Sequence, residues 1–181
     1  QGYSSAASDV YKRQQVAQRL AAVQENNFVT GLNKSDIDKP YNVGYIAGVF
    51  DLFHIGHLNM FKRAKEQCRY LIVGVVSDEG VRLNKQAEPF VPFDERIEMV
   101  RSCKYVDEAI KLPLDFCGTR DMFKIYHFDV QFSGSDYEHD PAWLAEKEFL
   151  EKNGSTMVFF PYTQSTSSTK LKKAIENRIN N

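Results

Sequence analysis

From Asn42 onward, short apolar runs bounded by turn residues alternate with stretches whose apolar positions recur every three or four residues. Val43–Phe50 is such a run and predicts a buried strand; Leu58, Phe61 and Ala64 then set a helix over Leu58–Gln67. Tyr70–Val76 is almost continuously apolar, as a parallel strand covered on both faces should be. Asp94–Cys103 reads as a helix through Ile97, Met99 and Val100. Glu108–Leu112 reads as a short strand, Gly118–Phe128 as a helix and Val130–Ser133 as a strand. Pro141–Lys152 has proline at its first turn and predicts a helix, Thr156–Phe160 a last strand, and Ser168–Ile179 a closing helix capped by a hydroxyl. Strands alternating with helices imply a parallel sheet with right-handed crossovers. The predicted fold is therefore an α/β, Rossmann-like three-layer α/β/α architecture with about five central strands. Ligands in such sheets sit beyond the C-terminal strand ends.

Residues 1–40 break this pattern. Ser5–Gln14 (SAASDVYKRQ) reads as translated sequencing adapter and is set aside. Val16, Leu20 and Val23 fall at helical spacing, so Tyr11–Glu25 predicts an amphipathic helix, and Asn26–Lys39 a linker ending at Pro40. The expected organisation is an N-terminal extension over 1–40 and a catalytic domain over 41–181.

Twenty-three Lys+Arg against 24 Asp+Glu give a net charge of −1, which argues against a general nucleic-acid or anionic-membrane binder. The apolar runs are too short to span a bilayer. Cys68, Cys103 and Cys117 are odd in number and widely spaced, which argues against a disulfide framework or a cysteine zinc site. With no apolar leader visible, a reducing cytoplasm is expected.

The chemistry concentrates in Gly48–His57 (GVFDLFHIGH), between the first strand and first helix. Gly48 permits close backbone approach. His54 and His57 stand at a helix start, where free N–H groups and the dipole favour phosphate, and imidazoles add donors. Two readings compete: a zinc pair, incomplete with only Asp51 nearby, and structural histidines. Later, Lys85, in a loop after the second strand, and Arg96 are cations expected at the same sheet edge, Gly134-Ser135-Asp136-Tyr137 follows a strand, and the hydroxyl-rich Tyr162–Lys170 leads into the last helix. Those hydroxyls either cap the helix or hold a triphosphate beside its free N–H groups.

At Gly48, Phe50, Asp51, His54, Gly56 and His57 the chain resembles the cytidylyltransferase family of the nucleotidylyltransferase superfamily, with its signature G-x-F-D-x-x-H-x-G-H. It looks closest to the glycerol-3-phosphate and the choline- or ethanolamine-phosphate enzymes. The resemblance runs from about Asn42 to Glu176. It implies transfer of CMP from CTP to a phosphorylated alcohol, with Mg²⁺ accompanying CTP, no metal-ligating residue set, and a homodimer. It further implies His54, His57 and Lys85 as catalytic residues. Nucleotide binding falls to Gly48, Val49, Phe50, Asp51, Gly56, Arg96, Asp107, Thr163, Ser167, Ser168 and Thr169, and acceptor binding to Lys104, Asp136 and Tyr137. Three departures stand out: Lys104 for an Arg, Tyr162 for an Arg and Ser165 for a Gly, with Lys170 or Lys172 as compensating cations. The rival readings are an adenylyltransferase on the same fold, a nucleotide-binding module without catalysis, and a plain metal-binding or structural α/β protein. His127, His139 and Trp143 are assigned no role.

Overall fold

The computed structural model describes residues 38–112, 114, 118–161, 163 and 166–179, with residues 11, 14–15, 17–19 and 21–22 ahead of them. The described residues between 11 and 22 are helical; Val16, Leu20 and Val23, and the expected linker up to residue 37, lie outside the described residues.

Five strands form one parallel sheet: β1 (Tyr41–Gly48), β2 (Cys68–Val76), β3 (Glu108–Leu112), β4 (Val130–Gly134) and β5 (Thr156–Phe160), in the order β3-β2-β1-β4-β5. The helices are α1 (Ile55–Gln67), α2 (Asp78–Lys85), α3 (Phe93–Arg101), α4 (Thr119–Tyr126), α5 (Pro141–Lys152) and α6 (Ser168–Ile179). Chain order reverses across β1 and β4, so their C-terminal ends part around a crevice where a ligand can enter.

Strand alternation divides the core in two. Ile46, Leu71, Val73, Val75, Val130 and Phe132 face one layer, with Phe61, Ala64, Ile97 and Val100. Val43, Tyr45, Tyr70 and Ile72 face the other, with Phe123, Ile125 and Leu150. Both faces of β1 and β2 are buried, which is why they read as unbroken apolar runs. Gly44 is needed at β1: a Cβ there would lie 2.7 Å from both Cys68 Sγ and a Phe132 ring carbon.

The elements predicted from Asn42 onward all form; Glu108–Leu112, Pro141–Lys152, Thr156–Phe160 and Ser168–Ile179 keep the expected bounds and the others have shifted ends. β1 stops at Gly48 because Phe50 and Leu52 take left-handed backbone angles (φ 54° and 48°), a conformation that costs a residue bearing a Cβ. α4 ends at Tyr126 rather than Phe128, since His127 adopts φ 46° as its C-cap. Lys85, expected in a loop, is the last residue of α2. Ser77 caps this helix, its Oγ accepting from the Gly80 N–H at 3.2 Å, and Asp78 and Glu79 favour its positive end.

Candidate active site

A cavity of about 470 Å³ opens over the C-terminal ends of β1, β4 and β5. One wall is the β1–α1 loop and the start of α1; the other is the approach to α6. Of the expected residues, Gly48, Val49, Phe50, Asp51, His54, Gly56, His57, Lys85, Asp136, Tyr137, Thr163, Ser167, Ser168 and Thr169 all border it.

His54 is the N-cap of α1, and its Nδ1 accepts the Gly56 N–H at 3.0 Å. Its Nε2 lies 3.2 Å from Ser168 Oγ, and that hydroxyl donates to the Asp51 carbonyl at 3.0 Å. Nδ1 is thus an acceptor and Ser168's proton is spent, so the neutral ring carries its proton on Nε2 and donates it to Ser168. Gly56 is required by this arrangement: a Cβ would fall 2.8 Å from His54 Cε1.

His57 stacks on His54 with ring centroids 3.9 Å apart, and the Phe50 and Phe53 rings pack against it at 5.3 and 5.5 Å. Burial, reinforced by the neighbouring His54 and only partly opposed by Asp51, pushes its pKa down to about 3. Burial also lowers the pKa of His54. The Nδ1 of His57 is buried without a hydrogen-bond partner among the described residues. A proton there would be stranded, so the neutral ring keeps it on Nε2. The pair is two neutral imidazoles acting as N–H donors.

Asp51 is only 3% exposed. Its carboxylate accepts the N–H groups of Phe90 (3.0 Å) and Val91 (2.9 Å) and pairs with Lys172 Nζ at 2.8 Å. Burial works to raise its pKa, but Lys172 and the two N–H donors outweigh it and hold the carboxyl below its usual range. Asp51 therefore ties the β1–α1 loop, the 90–91 segment and α6 together. Lys172 also sits 5.2 Å over the Phe90 ring and borders the cavity.

On α6, Ser167 is buried and caps the helix, its Oγ accepting from the Lys170 N–H at 3.2 Å. Ser168 and Thr169 follow in the first turn. Thr163 accepts a bond from Asn59 at 3.5 Å. Tyr162 and Ser165, the two departures on this wall, lie outside the described residues, as does Cys117.

Three expectations are corrected. Arg96 does not border the cavity: it is fully buried beneath the loop, donating to the carbonyls of Val49, Val76 (2.9 Å) and Val91 (2.9 Å) and pairing with Asp78 at 2.6 Å. With its fork spent on these groups, it fixes the strand ends rather than meeting a ligand. Asp107 lies at the opposite, N-terminal end of the sheet, where it bonds Lys65 and accepts the Leu71 N–H at 2.7 Å. Lys104, three residues earlier, has its ammonium over the Tyr105 ring at 5.1 Å and does not border the cavity either.

Two bordering residues carried no signal recognised in the sequence. Trp143 stacks on Tyr137 at 4.5 Å and walls the cavity. Arg63 reaches the Pro161 carbonyl at 2.9 Å from seven residues after Gly56, two turns along the same face of α1.

A doubly wound parallel sheet, with paired imidazoles at one helix start facing hydroxyls at another across the switch-point crevice, defines a nucleotidyltransferase-type α/β protein. Residues 45–174 match the Cytidylyltransferase-like family, and the chain belongs to it. It is 37% identical to an FAD synthase of Thermococcus kodakarensis, over 74% of this chain and 89% of that protein. Against an ethanolamine-phosphate cytidylyltransferase of Dictyostelium discoideum it is 41% identical over 75% of this chain, spanning 38% of that protein. Glycerol-3-phosphate cytidylyltransferase of Bacillus subtilis is 32% identical, over 71% of this chain and 92% of that one. Among solved structures, a lipopolysaccharide core biosynthesis protein of Thermoplasma volcanium superposes with TM-score 0.55 and 25% identity, over 70% of this chain and 99% of that one. No described helix is long and apolar enough to cross a membrane.

Proposed function

We propose that the chain transfers CMP from CTP to a phosphorylated alcohol, releasing pyrophosphate and a CDP-alcohol. An oxygen of the acceptor phosphate bonds to the α-phosphorus in line with the departing group. The bond from that phosphorus to the bridging oxygen breaks, and pyrophosphate leaves with its electron pair. Such a reaction rests on positioning and on stabilising shifting negative charge.

The observation that carries the reading is the pair of neutral donors, His54 and His57, set across one cavity from the first turn of α6. In this reading His57 donates its Nε2–H to the nucleotide phosphates, and the His54 Nε2–H, held by Ser168 in this structure, turns from that hydroxyl to the phosphates when nucleotide binds; together they offset charge on the α-phosphoryl group and the leaving pyrophosphate. The Ser167 and Thr169 hydroxyls, with the backbone N–H groups of Ser168 and Thr169 at the start of α6, take the β- and γ-phosphates, and Lys172 adds a cation there. Lys85 bridges nucleotide and acceptor. Arg96 and Asp51 are positioning residues that keep the loop in place. Magnesium enters on the triphosphate; among the described residues no group of three His, Cys, Asp or Glu gathers to cage it, so phosphate oxygens and water would supply most ligands.

Pyrophosphate release with magnesium, CTP or ATP and a panel of phosphorylated alcohols tests the reading. CTP-dependent release is expected, falling at least ~100-fold in His57→Ala, the scale of losing one preorganised donor. Near-normal turnover in that variant overturns it. A second reading, adenylyl transfer from ATP, is favoured by the similarity to FAD synthase along nearly that protein's whole length. ATP in place of CTP as the productive nucleotide selects it.

A further inference from the structure

A second hollow, of about 620 Å³, opens on the opposite face of β1, and the two cavities share Gly48, Val49, Lys85, Tyr137 and Trp143 at their border. Its lining includes Tyr45 of β1 and Gln131 of β4, neighbours in register. Gln131 is 2% exposed, in the centre of a sheet face otherwise built from Val43, Tyr45, Tyr70, Ile72 and Met157. Its Oε1 is buried and has no hydrogen-bond partner among the described residues. An orphaned amide oxygen in such a place loses its hydration with nothing in exchange, a cost that a leucine would avoid. The residue is explained if a donor arrives from the cavity.

The charges around the hollow indicate which donor. At its rim Arg120 pairs with Glu146 at 2.9 Å and lies 4.9 Å over the Phe149 ring, while Lys124 stands 3.9 Å from Asp121. Each described carboxylate there already faces a cation, so an ammonium headgroup meets no unspent anion among the described residues. One face of Trp143 is covered by Tyr137, which weakens an aromatic cage for such a group. A neutral hydroxyl, by contrast, supplies the hydrogen that Gln131 lacks.

We propose that the second hollow holds the organic part of the acceptor, and that Gln131 selects acceptors whose phosphate is carried on a neutral polyol chain. This rests on the nucleotidyl-transfer reading: with the acceptor phosphate at Lys85, on the shared border, the chain behind it runs into the hollow. Two sources carry that chemistry, a free polyol phosphate and the ribityl phosphate arm of a flavin nucleotide.

The full chain is assayed for pyrophosphate release with magnesium and either CTP or ATP, against glycerol 3-phosphate, ribitol 5-phosphate, FMN and phosphoethanolamine. A polyol-bearing acceptor should exceed phosphoethanolamine in kcat/KM by at least ~10-fold, and the winner separates the two sources. Gln131→Leu should raise KM for that acceptor about tenfold, the value of one neutral hydrogen bond. KM for the nucleotide should stay unchanged and the melting temperature equal or rise. Gln131→Met serves if the leucine variant fails to fold. Preference for phosphoethanolamine, or an unchanged acceptor KM in the folded variant, overturns the proposal while leaving nucleotidyl transfer intact. Silence with every acceptor sinks the transfer reading instead. The polyol claim then stands or falls on whether ribitol 5-phosphate raises the melting temperature of the parent and not of Gln131→Leu.

Discussion

His57 keeps its neutral form far below the pH at which a free imidazole charges, and this makes it a measurable contributor to acid sensitivity. In the unfolded chain it takes up a proton near pH 6.5; in the folded protein burial delays that to about 3. Between those values the unfolded state binds more protons, so stability falls as pH falls, by up to about 1.4 kcal/mol per pH unit for this group. The lowered pKa of His54 adds in the same direction. Urea midpoints of the parent and His57→Gln at pH 7.5, 6 and 5, above the range where carboxylates titrate, should show a smaller acid loss in the variant. Equal slopes would refute the assignment. At this scale the sequence was most legible where residue type and spacing stated a requirement, as in His54-x-Gly56-His57. It was least so for single cations. A lone Arg or Lys has the same letters whether it meets a phosphate or, like Arg96, four groups beneath a loop; only the packing around it decides.

Among elements, the decisive connection is the one that Asp51 makes between the β1–α1 loop, the 90–91 segment and α6. Asp51→Ala leaves two N–H donors and the Lys172 ammonium short of their acceptor, and is expected to cost about 2–4 kcal/mol. Chemical denaturation reads that loss; a change under about 0.5 kcal/mol would show the tie to be incidental. None of this was visible from periodicity, because its partners lie 39–121 positions apart and pair through three dimensions alone. Helix α2 was missed for a different reason. Its eight residues, with only Val81 and Gly80 buried, give too short a stripe to stand out, although Ser77-Asp78-Glu79 is a legible start signal.

For the molecule as a whole, the sheet and its alternation with helices were legible almost throughout, since a strand buried on both faces, β2 above all, writes a nearly unbroken apolar run. Among the described residues the N-terminal extension touches this body through Arg19, half exposed, which pairs with Glu108 at 3.1 Å and hydrogen-bonds Tyr70. An exposed ion pair of this sort is worth about 0–1 kcal/mol. Removing residues 1–37 should therefore shift the melting temperature by only a few degrees and leave nucleotide-induced stabilisation in place. A collapse of the fold would make the extension part of the domain. The knot of contacts at Asp51 also imposes an order in time. Its first member lies just past β1 and its last, Lys172, in the second turn of α6. A chain emerging from the ribosome can thus pair β1, β2 and β3 while the α6 wall of the cavity is still missing. On the nucleotidyl-transfer reading, affinity for nucleotide then arrives only once α6 has been made, after every strand of the sheet.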